Sequence, residues 1–196
     1  MTANAPSSLR HVPNALSLAR LLSALPIAWL VVRGEGRLAM ICFIVAGASD
    51  GLDGWLAKRF GWASQLGGWL DPLADKALVL AVCVALALRG DLPWWLLGLI
   101  AVRDLVIVGG ALAFHLNYAP LHARPTWLGK MTTLALLLLV VVLLWRNVGA
   151  QLPAWLADAL IGLCAAMLLA SGIDYVRRWS KKARKLRRPH NQEPVR

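Results

Sequence analysis

The chain has 196 residues, of which 59% are hydrophobic and 16% charged, and its mean hydropathy is +0.60. Soluble domains have about 25% charged residues, and disordered chains lack long apolar runs, so this composition excludes both classes. The hydrophobic residues lie in runs long enough to cross a bilayer, which takes about 20 residues of helix. The sequence therefore predicts an all-α integral membrane protein.

The formal net charge of +11 is concentrated at the C-terminus. Nine of the 21 Lys and Arg residues lie between Arg177 and Arg196, where Glu193 is the one opposing acid. A basic block directly after an apolar segment is typical of an anchor for anionic membrane lipid. We therefore divide the chain into a membrane domain, residues 1–176, and a basic cytoplasmic tail, residues 177–196, and expect no nucleic-acid binding.

Six apolar runs predict six transmembrane helices in chain order. The runs are Asn14–Val32, Leu38–Ala57, Trp69–Leu88, Pro93–Phe114, Leu128–Trp145 and Ala154–Val176. Six spans place both termini on one side, and the segments of that side hold thirteen Lys and Arg against four in the opposite loops. Because basic residues are retained in the cytoplasm, both termini are predicted to be cytoplasmic. The expected location is the prokaryotic inner membrane.

Four acidic residues lie where the second and third predicted spans meet the cytoplasm: Asp50, Asp53, Asp71 and Asp75. An acid in a membrane span costs about 2.5–3.5 kcal/mol on insertion scales, so the cluster requires a compensating cation. The members of each pair are three or four residues apart and therefore share one helix face. Clustered carboxylates suit Mg²⁺ or Mn²⁺, and four of them can hold two ions for phosphoryl displacement.

The segment from Asp50 to Asp75, DGLDGWLAKRFGWASQLGGWLDPLAD, resembles the signature of the CDP-alcohol phosphotransferases. That signature is D-x-x-D-G-x-x-A-R, eight residues, then G-x-x-x-D-x-x-x-D. It matches here at Asp50, Asp53, Gly54, Ala57, Gly67, Asp71 and Asp75. The chain departs from the signature at the Arg position, which is Lys58 followed by Arg59. Lys keeps the charge but lacks the bidentate fork of Arg.

The resemblance implies a transferase that uses a CDP-linked lipid, usually CDP-diacylglycerol. In such a reaction an acceptor hydroxyl attacks the β-phosphorus and CMP is released. Carried over by position, the four aspartates would bind two divalent metal ions, and Asp75 would also be the general base. The CDP-binding residues would be Gly54, Ala57, Lys58 and Gly67. The family resemblance also implies a homodimer.

Further resemblances concern the acceptor. The segment NALSLAR, which includes Arg20, resembles the opening motif of phosphatidylglycerophosphate and cardiolipin synthases. AVRDLVI and PTWLGKMT look more like cardiolipin synthases, although phosphatidylglycerophosphate synthases share the Gly-Lys of the second segment. They imply phosphatidylglycerol or glycerol 3-phosphate as the acceptor, ahead of alternatives such as inositol phosphate. The basic residues Arg20, Arg103 and Lys130 are candidates for binding it, although each could instead be a snorkelling residue. Asp104 and Asp174 could pair with bases at the helix ends and are assigned no role.

Two alternatives remain open at this point. The four aspartates could form interfacial ion pairs with Lys58, Arg59 and Lys76 instead of binding metal. Intramembrane acids also form the ion pathways of transporters, which predicts acids at the midplane of several helices and often inverted repeats. Because the four acids lie together at one membrane boundary, the sequence favours an enzyme over a transporter.

Overall fold

The computed structural model describes the backbone of residues 12–60, 67–117 and 127–187, and side chains within 14–49, 70–110 and 127–180 apart from 72, 154 and 179. These residues form six helices: α1 (Val12–Arg33), α2 (Gly36–Phe60), α3 (Gly67–Leu88), α4 (Trp94–Asn117), α5 (Trp127–Asn147) and α6 (Ala154–Arg187). The all-helical, six-helix prediction is confirmed. The largest difference from the predicted bounds is at α6, which continues past Val176 as far as Arg187.

Three helices end on a glycine in the left-handed backbone region, namely Gly34 after α1, Gly90 after α3 and Gly149 after α5, with φ between +82° and +92°. After α1 the Gly34 amide donates to the Val31 carbonyl, and the next amide donates to Leu30, both at 3.0 Å. This pairing satisfies carbonyls that a helix end leaves open. The three turns are tight, so each following helix starts close to the preceding one.

Side chains join these three turns at one end of the bundle. Arg89 Nη1 donates to the Val31 carbonyl at 3.1 Å, and Asn147 Nδ2 donates to Asp91 Oδ2 at 2.9 Å. Since α1, α3 and α5 all end here, they run parallel to each other, and the other helices return in the opposite direction. We call this the turn end of the bundle and the opposite one the site end.

Helix α1 packs most extensively against α3 and then against α2, whereas α2 and α3 have little contact with each other. Its buried row is spaced alternately by three and four residues: Ser17, Arg20, Ala24, Ile27 and Val31. This spacing keeps one stripe of the helix turned toward its neighbours. The second half of the bundle consists of α6 against α5 and α4, joined to the first half mainly by α2 against α5.

The outer surface of the bundle is apolar. Leu25 is 76% exposed and Leu105 is 71% exposed, and many other large apolar side chains are at least half exposed. Within the described residues, three segments are long and apolar enough to cross a membrane: Asn14–Arg33, Trp127–Asn147 and Trp155–Arg178. An exposed apolar surface of this extent is suited to lipid rather than to water.

Candidate active site

The two described aspartates of the motif lie one turn apart near the start of α3. Asp71 accepts a short hydrogen bond from the Ser17 hydroxyl of α1, and Asp75 Oδ1 accepts one from Arg20 Nη1 at 2.8 Å. Because α1 and α3 run in the same direction, the earlier residue of α1 meets the earlier aspartate and the later one meets the later aspartate. Helix α1 therefore orients both carboxylates.

Arg20 has the largest polar side chain in the described core, and that side chain is fully buried. Its Nε donates to the Ala46 carbonyl of α2 at 3.1 Å while Nη1 bonds Asp75 of α3. Removing a charge from water costs several kcal/mol unless it is paired and hydrogen-bonded, and both conditions are met here. Arg20 thus joins three helices at the level of Asp75.

The other residues of the motif lie on described backbone, but their side chains fall outside those that the structure describes. Asp50, Asp53, Gly54, Ala57 and Lys58 are on α2, and Gly67 is the first residue of α3. Among the described side chains, no group of three or more His, Cys, Asp or Glu could hold a metal ion. The oxygen donors of Asp71 and Asp75 nevertheless suit a hard divalent cation.

A cavity of about 520 Å³ lies beside Asp75. Its polar lining includes Asp75, Lys76, Arg103, Asp104, Thr132 and Thr133, and the remainder is mostly apolar. Its volume is within the range of about 300–1,000 Å³ for small-molecule sites, and a mostly apolar wall with a few polar groups is typical of them. A hydroxyl-bearing molecule in this cavity would be next to a carboxylate.

The charged residues of the cavity form a small ion-pair group. Asp104 Oδ1 is 2.7 Å from Arg103 Nη1 and 3.2 Å from Lys76 Nζ. Arg103 Nη2 also donates to the Ser171 hydroxyl at 3.4 Å. Lys76 and Arg103 share the Asp104 carboxylate, so these three residues carry a net positive charge. The Asp75 carboxylate of the same cavity is itself paired with Arg20, which leaves that positive charge for an anionic ligand. Asp174 also pairs with a base, Arg178, at 2.9 Å.

The three candidate acceptor residues have different surroundings. Arg103 lines the cavity together with Asp75, and Arg20 bonds Asp75 from behind it. Lys130 is exposed on α5, with Nζ 5.9 Å from the centre of the Trp127 ring, and it is absent from the described lining of this cavity.

Sequence reasoning missed the buried Thr132. Its hydroxyl donates to Leu128 at 2.7 Å and is 3.3 Å from the Met167 carbonyl. It sits at the end of the PTWLGKMT segment, which could have pointed to it.

The sequence profile of the CDP-alcohol phosphatidyltransferases matches residues 10–171, which is most of the chain. The protein belongs to this family. The match includes α1 with Ser17 and Arg20 as well as the aspartate motif, so the contacts between α1 and α3 lie within the family domain.

Relatives named for two activities match this chain. A CDP-diacylglycerol–glycerol-3-phosphate 3-phosphatidyltransferase of rice chloroplasts is 33% identical over 183 residues, covering 84% of this chain and 56% of the rice protein. A probable phosphatidylglycerophosphate synthase of Mycobacterium tuberculosis is 31% identical, covering 87% of this chain and 82% of that protein. A CMP-forming cardiolipin synthase of Streptomyces coelicolor is 34% identical, with coverages of 84% and 80%. The chain spans just over half of the rice relative and less than half of fungal and insect ones.

Proposed function

We propose that this protein is a metal-dependent membrane phosphatidyltransferase that moves the phosphatidyl group of CDP-diacylglycerol to a glycerol-phosphate-type acceptor and releases CMP. The acceptor is phosphatidylglycerol or glycerol 3-phosphate, in keeping with the activities for which its relatives are named. The observation that carries the proposal is the pair of motif carboxylates, Asp71 and Asp75, held by α1 with Asp75 lining a cavity.

We propose that Asp50, Asp53, Asp71 and Asp75 hold two Mg²⁺ or Mn²⁺ ions. Helix α2 is continuous through positions 50 and 53, which follow the buried Ala46 by four and seven residues and so belong to the same row of that helix. Bound divalent ions would neutralise the diphosphate and the departing CMP. Every proposed ligand is a carboxylate, the donor that these cations prefer.

The CDP moiety is proposed to lie between α2 and the start of α3, against Gly54, Ala57, Lys58 and Gly67. Small residues allow a ligand to approach the backbone closely, and a Lys in place of the family Arg still supplies positive charge for the diphosphate. The positions of the motif on the two helices support this proposal.

Asp75 is proposed as the general base. Its side chain is 45% exposed and lines the cavity, while the buried guanidinium of Arg20 holds one of its oxygens. The acceptor hydroxyl oxygen forms a bond to the β-phosphorus, the bond from that phosphorus to the CMP oxygen breaks, and the hydroxyl proton moves to Asp75. The contacts of Arg20 support a positioning role; its predicted contact with the acceptor stays a prediction, as does that of Lys130. Arg103, with Lys76 beside it, is proposed to receive the acceptor phosphate.

The six helices are proposed to be six membrane spans with both termini in the cytoplasm, which places the site end there. Support comes from the alternating helix directions, the apolar outer surface and the distribution of basic residues. We propose an inner-membrane location in a prokaryote, a homodimer as the family resemblance implies, and contact between the basic end of α6 and anionic lipid.

The test is CMP release by the purified protein from CDP-diacylglycerol, with glycerol 3-phosphate and phosphatidylglycerol offered separately and Mg²⁺ or Mn²⁺ varied. We expect release to require one acceptor and a divalent ion, to stop on chelation, and to be nearly abolished by Asp71→Asn. The matched control is Asp158→Asn, the same change at an exposed position of α6 near the turn end. Absence of CMP release with both acceptors at saturating metal would contradict the proposal.

A further inference from the structure

A second depression of about 460 Å³ lies between α4 and α6, on the outside of the bundle. We call it the lateral groove. Its walls are mostly apolar, with Val102 and Val106 from α4 and Leu169 and Ile173 from α6, and these four side chains are 37–58% exposed. Exposed apolar side chains that form a concave surface fit a flexible hydrocarbon chain.

The lateral groove adjoins the cavity at Asp75. Arg103 and Leu168 line both depressions, so the Arg103 side chain stands at the boundary between them. Arg103 is 13% exposed, and its Nε is buried without a hydrogen-bond partner among the described residues. A buried donor without a partner is unfavourable, and an anionic oxygen that reached it would remove that cost.

Along the helix axes the groove has one charged residue at its site end, Arg177, and another near its middle, Arg103, with apolar residues on both sides of Arg103. Helices α4 and α6 run in the same direction, because Arg103 bonds Ser171 and the Ile107 carbonyl accepts from the Tyr175 hydroxyl. Leu99 and Leu168 therefore lie toward the turn end, and Arg177 lies toward the site end. A lipid of the site-end leaflet places its phosphate and its acyl chains in this same order.

We propose that the lateral groove binds the phosphatidyl part of a lipid acceptor, phosphatidylglycerol, with an acyl chain along Leu99 and Leu168 and the phosphate at Arg103. Its terminal glycerol hydroxyl then enters the cavity beside Asp75. The inference rests on the proposed function and narrows it to the lipid acceptor, since glycerol 3-phosphate has no acyl chain to occupy the groove. Arg177 supplies a second positive charge at the entrance for the anionic lipid.

Gly172 allows the groove to be filled without strain. It lines the groove, and a Cβ at this position would meet no heavy atom within 4 Å. The matched control is Gly162 on the same helix, where a Cβ also meets nothing within 4 Å and which is outside the described lining of the groove. Gly172→Leu and Gly162→Leu make the same chemical change to α6, so any difference between them reports on the groove.

Each variant is assayed for CMP release with CDP-diacylglycerol and phosphatidylglycerol, and phosphatidylglycerol binding to the protein is measured separately by native mass spectrometry. We expect Gly172→Leu to raise the KM for phosphatidylglycerol and weaken its binding about tenfold, since each methylene contact is worth about fourfold in affinity. The KM for CDP-diacylglycerol should change less than about twofold, and Gly162→Leu should resemble wild type in all three measurements.

Three results would overturn the inference: unchanged phosphatidylglycerol binding in Gly172→Leu, a rise in the KM for CDP-diacylglycerol instead, or use of glycerol 3-phosphate alone by the wild type. In the last case CMP is still released, so the phosphatidyltransferase proposal survives while the groove assignment fails. If the wild type releases no CMP with either acceptor, the proposed function fails, and the binding measurement alone decides whether the groove takes this lipid.

Discussion

At the scale of single residues, the buried arginine that joins three helices, Arg20, has a high desolvation cost. Arg20 loses its hydration entirely, with 0% of its side chain exposed, and recovers the loss through Asp75 and the Ala46 carbonyl. Such a pair adds little to stability compared with an apolar core, although its disruption is expensive. Its value is therefore in fixing the Asp75 carboxylate relative to α2.

Replacing Arg20 tests whether this residue positions Asp75 or binds the acceptor directly. We expect Arg20→Ala to lower kcat about 10²-fold, as small displacements of a reacting group do, with the acceptor KM changed less than about twofold. Arg20→Lys should recover part of kcat, because it keeps the charge but loses the second arm to Ala46. Steady-state kinetics on folded, monodisperse protein is the measurement. A large rise in acceptor KM with kcat preserved would instead favour direct contact with the acceptor.

Asp75 can be tested as base against ligand. Asp75→Asn keeps the volume and removes the proton acceptor, so we expect a 10²- to 10⁴-fold lower kcat with CDP-diacylglycerol binding nearly intact. A metal titration of the variant is the decisive measurement. Recovery of rate at high Mg²⁺ would mean that Asp75 acts mainly as a ligand, whereas Asp158→Asn should behave as wild type throughout.

At the scale of the elements, the start of α2 can approach the end of α5 closely because Gly36 has no side chain. A Cβ on Gly36 would lie 2.8 Å from the Asn147 carbonyl oxygen, which is backbone and cannot rotate away. This contact is near the turn-end group of Arg89, Asp91 and Asn147, so the glycine and the hydrogen bonds together set how closely the two helices approach.

We therefore expect Gly36→Ala to lower the free energy of unfolding by about 1–3 kcal/mol, the usual cost of overpacking. Gly98→Ala on α4 is the control, because a Cβ there meets nothing within 4 Å. It should leave stability unchanged or raise it by up to about 1 kcal/mol through better helix propensity. Thermal unfolding in detergent measures both, and equal stability of the two variants would show that α2 and α5 can shift apart freely.

At the scale of the whole molecule, we predict that the site end faces the cytoplasm and the turn end faces the opposite side of the membrane. Glu35 and Gln151 are exposed in the connections at the turn end, and Trp127 is 82% exposed at the start of α5, at the site end. In intact cells an impermeant maleimide should label Glu35→Cys and Gln151→Cys, and should label Trp127→Cys only after permeabilisation. The unsubstituted protein, with its three native cysteines, is the control. Labelling of all three positions from one side would contradict the alternating spans.

The helices and the aspartate motif could be predicted from the sequence because both are local properties. Runs of about 20 apolar residues define helices whatever surrounds them, and a motif of aspartates, glycines and Ala57 is recognised by its spacing alone. The basic end of α6 was the exception: residues 177–187 continue the helix, since Lys and Arg are good helix formers whose charge excludes them only from the apolar layer.

The sequence by itself determined the family, the six helices and the aspartates, while the tertiary structure alone decided what those aspartates contact. Asp75 and Arg20 are 55 residues apart in the chain, and Arg103 and Ser171 are 68 apart. No periodicity links such pairs, because contact between distant residues depends on how whole helices pack rather than on spacing along one helix. For the same reason, Arg20 and Arg103, two basic residues within apolar runs of the sequence, have different surroundings. Arg20 is enclosed behind a carboxylate, and Arg103 stands where the cavity meets the lateral groove.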